Sequence, residues 1–133
     1  MSSYPVIDQP SGGRVQGVIN GLNRLLDLAV PEHEQEGGTY VIPGHGRVCD
    51  EADVLEYRDM VTIVRDRIQA MIKKGMTLEQ IKAAKPTADY DPRWAAPSGP
   101  ASSAGFIEAV YKTLVPKPAT AKPAATTKKK NLR

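Results

Sequence analysis

The residue best placed to do chemistry is His45. It stands between Gly44 and Gly46 in the segment 39–50, TYVIPGHGRVCD. Flanking glycines let a backbone turn sharply and approach a site closely. Thr39 to Ile42 are β-branched or aromatic and are stopped by Pro43, which predicts a short strand over 39–42. A histidine just past a strand end sits where α/β folds carry their functional loops. A neutral imidazole there suits a first-row metal ion. Spacing alone leaves a plainer role open, a hydrogen bond within a turn.

The other candidates have structural readings. His33 lies in Glu32-His33-Glu34, between two acids, and reads as a solvated loop histidine. Cys49, four residues after His45, reads as a small buried hydrophobe, with a thiol near a metal edge as its functional alternative. Asp50 and Asp53 are placed to cap a helix and complement its dipole before they serve as general bases. Tyr57, Met60 and Met71 belong to an apolar helix stripe. Trp94 is either an anchor tying a loop to a helix or part of a substrate cleft.

The elements that must hold these residues are mostly helices. Val15, Val18, Ile19, Leu22, Leu25, Leu26 and Leu28 recur at helical steps and predict a helix over 14–30, ended by Pro31. Gly17 and Gly21 weaken it, each by about 1 kcal/mol against Ala. Val54, Tyr57, Val61, Val64, Ile68 and Met71 predict a long helix over 50–74, closed by Lys73, Lys74 and Gly75. Thr77 to Gln80 is a capping box that opens a short helix over 78–84. Residues 89–101 read as loop. Ser102 or Ser103 caps a last helix to Leu114, with Phe106, Ile107, Val110, Tyr111 and Leu114 on its apolar face. A single strand is unusual. Its backbone groups need partners if it is buried. The segment 39–42 therefore either belongs to a larger sheet or is no strand, in which case the chain is a small helical domain.

Composition narrows the function classes. The chain has 133 residues, room for one ordinary domain. One cysteine excludes an intrachain disulfide and a multi-cysteine zinc site, and two histidines cannot complete a three-histidine centre. Apolar runs are too short for a transmembrane span, and the first 30 residues do not read as a signal peptide. The default expectation is a cytoplasmic chain. The net charge of +3 hides a division. Residues 116–133 carry six basic side chains and no acid, leaving 12 basic and 15 acidic residues, a charge of −3, in 1–115. The 116–133 stretch, PKPATAKPAATTKKKNLR, predicts a disordered tail. Its lysines could touch an anionic surface, but no aromatic residue interleaves them, so nothing points clearly to nucleic acid.

The ordered series behind PGHG resembles the C-terminal part of the metallo-β-lactamase superfamily, the αββα metallohydrolases. The long helix 53–74, GMTLEQIKAAKP, a Tyr-Asp loop and GFIEAVYKTL follow PGHG in that order. Before it, YPVIDQPSGG and VINGLNRLLDL resemble the stretch after the family's metal-bridging aspartate. The resemblance covers about 4–115 and is nearer the glyoxalase-II-like hydrolases than the antibiotic-degrading branch. It implies an α/β (α+β) fold class, here the C-terminal part of an αββα fold that is mostly helical with one short strand. It implies two zinc ions in the parent enzymes, with His45 a ligand of the second metal and Gly44 and Gly46 shaping its loop. The parent chemistry is attack of a metal-bridging hydroxide on an ester, thioester or lactam carbonyl.

The family's HxHxDH motif, its middle histidine and its Gly-Asp bridging aspartate are not in this sequence; Asp8 does not match the last. Met1-Ser2-Ser3 align just after that missing part. The expectation is an incomplete domain over 4–115, with no catalytic residue of its own, His45 its one ligand position and no zinc held by the chain alone. Its partner would be the missing N-terminal part or a second copy. The alternative is a non-enzymatic helical interaction module that needs a partner or a homodimer to complete its sheet.

Overall fold

The computed structural model describes residues 1–31 and 37–115. The expectations for His33 and for the 116–133 tail fall outside the described residues. Among those described, five helices run α1 (Val15–Leu28), α2 (Glu51–Lys73), α3 (Leu78–Ala83), α4 (Asp91–Trp94) and α5 (Ser103–Leu114).

Local signals place most of the boundaries. Asp50 accepts from the Asp53 N–H at 2.8 Å, and the Asp53 carboxylate accepts from the Asp50 N–H, so α2 opens on a reciprocal capping box. Thr77 and Gln80 do the same for α3. Ser102 caps α5 by accepting from the Gly105 N–H at 3.1 Å. α4 was not expected. It is a single turn with Pro92 in it, and Trp94 at its end is buried.

The core is helix on helix. α1 packs along α2, and α5 closes against α2, α3 and α1. Val54, Val61, Val64 and Ile68 of α2, Ile81 of α3, and Phe106 and Val110 of α5 have no exposed surface. The stripes on α1 and α2 thus meet each other and α5 with no sheet between them, while Leu25 and Leu28 at the end of the α1 stripe stay exposed. The extended segment 1–8 adds Tyr4, whose ring stacks on Phe106 at 4.7 Å, and Ile7. Trp94 packs edge-on against Tyr57 at 5.1 Å, which selects the anchor reading.

The predicted strand over 39–42 is corrected. Among the described residues there is no sheet, only an isolated antiparallel bridge between Val41 and Cys49. The two residues exchange N–H···O bonds of 2.8 and 2.9 Å. Its partner lies eight residues on in the same chain, so the backbone is paired locally. One bridged pair lacks the neighbours that turn an extended segment into a sheet. The structure is mostly helical. No helix among the described residues is long and apolar enough to cross a membrane.

Candidate functional site

The site is the hairpin loop 42–48 on its Val41–Cys49 base. Side chains alternate across an extended backbone. Val41 faces inward and packs against the core, and Cys49 is buried. Tyr40, Ile42 and Val48 face out, with 66%, 82% and 51% of their surface exposed. The Thr39 N–H donates to the Val30 carbonyl and the Thr39 hydroxyl accepts from the Val30 N–H, both at 2.9 Å. That pairing brings the end of α1, with its exposed Leu28, beside the hairpin.

His45 is exposed at the loop tip, between Gly44 and Gly46. Gly46 has φ +98°, a conformation that side-chain-bearing residues rarely adopt, and a Cβ there would lie 3.2 Å from the Ser2 Cβ. Gly44 has open space around it. The turn therefore depends on Gly46, and the sequence expectation for Gly44 has no such steric basis.

Cys49 lies under the loop. The Met1 ammonium donates to its Sγ at 3.1 Å, and its thiol faces the Arg47 carbonyl at 3.3 Å. Arg47 is ion-paired with Asp53, which joins the loop to the first turn of α2. Burial pushes the Asp53 carboxyl up, but the Arg47 hydrogen bond, the Asp50 N–H and the Arg47 charge together hold it below its ordinary value. Asp50 and Asp53 are thus committed to capping, as their position predicts.

Of the ligand-type side chains singled out in the sequence, the hairpin gathers His45, Cys49, Asp50 and Asp53 into one stretch of chain. It does not bring them to a common point. Among the described residues no three His, Cys, Asp or Glu side chains converge. These residues alone do not fit a two-metal centre.

Sequence reasoning missed the hydrogen bonds of two buried tyrosines. The Tyr57 hydroxyl donates to the Ser3 carbonyl at 2.8 Å, and the Tyr4 hydroxyl donates to Asp91 at 2.8 Å. Burial raises the Tyr57 phenol far above its ordinary range, and burial and the bond to Asp91 raise Tyr4. The signal was available: a tyrosine on an apolar stripe brings a hydroxyl into the core, and that hydroxyl needs a partner. No family model matches the chain, and neither a curated protein nor a solved structure does so.

Proposed function

We propose that this chain is the C-terminal part of a metallo-β-lactamase-type hydrolase, and that it contributes His45 to a metal site whose other ligands lie on polypeptide outside this sequence. The observation that carries the reading is the hairpin's outer face. A hairpin with one side in water ordinarily alternates apolar-in with polar-out. Here Val41 and Cys49 face in while Tyr40, Ile42 and Val48 face out, so both faces are apolar. That is the pattern of strands buried on both sides. Each large apolar side chain left in water forgoes about 1.5–3 kcal/mol of burial. A sheet laid over this face would cover the three residues. Within that reading the chain's own residues present an imidazole on a shaped loop. The bond hydrolysed is of the ester, thioester or lactam type.

A second reading has its own support. The helical core closes without a sheet, with seven residues of α2, α3 and α5 at zero exposure. A module that folds alone and docks a partner through Tyr40, Ile42 and Val48 needs no metal.

The experiment mixes the purified chain with a separately produced N-terminal portion of a glyoxalase-II-like hydrolase that carries HxHxDH and the bridging aspartate. Zinc content and thioester hydrolysis are followed. The expected result is zinc-dependent turnover in the mixture, lost with His45→Ala while the complex still forms. Turnover that is indifferent to His45→Ala would assign the chain to the interaction module. Stoichiometric zinc and turnover by the chain alone would overturn the incomplete-site reading.

A further inference from the structure

We propose that residues 2–4 act as a strap that sets the conformation of the histidine loop, and that Tyr57 is the positioning residue that latches it. The inference deepens the reading of His45 as a ligand, but it stands on contacts that involve no metal.

Three contacts place the strap. Ser2 lies against the inside of the loop, where a Cβ on Gly46 would meet its Cβ at 3.2 Å and its backbone nitrogen at 3.3 Å. The Ser3 carbonyl accepts from the Tyr57 hydroxyl at 2.8 Å. The Tyr4 N–H donates to the Trp94 carbonyl at 2.8 Å, while its ring stacks on Phe106. The strap is thus fixed at Tyr4 by the core, held at Ser3 by a side chain, and in contact at Ser2 with the loop that carries His45.

Tyr57 is suited to the task. Its ring is held by Trp94, edge to face at 5.1 Å, so the hydroxyl has a set direction. It is buried, and the bond to Ser3 is the hydrogen bond its hydroxyl makes. Removing only the oxygen leaves the ring in the core but strands the Ser3 carbonyl. The loop itself has few ties of its own: the Val41–Cys49 bridge at its base, the bonds of the Cys49 sulfur to the Met1 ammonium and the Arg47 carbonyl, and the Arg47–Asp53 ion pair on its surface. Loss of the latch therefore reaches the loop before it reaches the helices.

The test is tryptic cleavage of the full chain, followed by mass spectrometry at two sites. Arg47 lies in the loop and is exposed, and Arg65 lies within α2. Cleavage rate at each follows the population of the open form. Tyr57→Phe should speed cleavage after Arg47 roughly two- to tenfold, the effect of one lost hydrogen bond, and leave Arg65 unchanged. Gly46→Ala should act in the same direction, because its Cβ pushes Ser2 off the loop. Thr62→Val, which removes a hydroxyl bond elsewhere on α2, should change neither site. Parallel acceleration at Arg47 and Arg65 in Tyr57→Phe would make Tyr57 a structural residue only and overturn the strap. No change at Arg47 would overturn it as well. Neither result touches the metal reading, which is decided by turnover and zinc content.

Discussion

Ile68 and Ile42 are the same residue type with opposite fates. Ile68, on α2, has no exposed surface; Ile42, beside the histidine loop, keeps 82% of its surface exposed. The helical core buries its own apolar faces. Its stripes are complementary, α2, α3 and α5 open on side-chain caps, and the hydroxyls of the buried Tyr4 and Tyr57 have partners. The hairpin satisfies only its inner side, through Val41 and Cys49, and leaves Tyr40, Ile42 and Val48 in water. The two regions thus differ in how much of their apolar surface the chain itself covers.

The sharpest way to break the comparison is the same truncation made in each region. Ile68→Ala should cost about 2–5 kcal/mol of unfolding free energy, the range for a buried isoleucine that leaves a cavity. Ile42→Ala should stay within about 0.5 kcal/mol, as surface changes do. Urea unfolding of the two variants reads both. Equal costs would show that the hairpin is part of the cooperative core.

Glycine gives a second, smaller contrast. A Cβ on Gly105, in the first turn of α5, would sit 2.4 Å from the Gly99 carbonyl oxygen and 2.9 Å from Pro100. Gly105→Ala should therefore destabilise by about 1–3 kcal/mol, the usual range for overpacking. Gly44→Ala meets nothing within 4 Å and should leave the melting temperature nearly unchanged. Thermal unfolding by circular dichroism separates them.

The largest single contribution to the acid limb of stability should come from the core side. Hydrogen bonds from Lys112 and Lys82 hold the Glu108 carboxyl down at about 2, against an ordinary value of 4.5. A carboxyl lowered on folding adds stability that is full above 4.5 and is lost as pH falls from there toward about 2. These are largely open ion pairs, so the effect is modest and weakens with salt. Glu108→Gln should flatten the pH dependence of stability in that window. An unchanged slope would mean the pairs are not maintained in solution.

The smallest expected effect is at His45. It is exposed at the loop tip, so His45→Ala should shift unfolding free energy by less than about 0.5 kcal/mol, measured by urea titration without added metal. A larger loss would place the imidazole in the fold rather than at its surface.

The helices were legible because their signals are local. The period of α2, the boxes at Asp50–Asp53 and Thr77–Gln80, and the cap at Ser102 involve residues within a turn of each other. Periodicity also marks the faces, and Val54, Val61, Val64, Phe106 and Val110 are buried as their spacing predicts. The candidate site was legible only as a motif. PGHG located the loop and the glycine at a positive φ, and Cys49 is buried, as its small apolar character predicts.

What lay beyond the sequence was pairing between distant residues. Whether 39–42 is a strand depends on which backbone lies beside it, and among the described residues its one bridge is to Cys49. Whether the stripes of α1 and α2 need a sheet depends on what α5 covers, and α5 starts 30 residues after α2 ends and 75 after α1 ends. The strap from Ser2 to Gly46 and the latch from Tyr57 to Ser3 join residues more than 40 apart. A local pattern sets which surfaces are apolar. Only the closed chain decides which of those surfaces meet, because burial is a property of pairs of surfaces brought together in space.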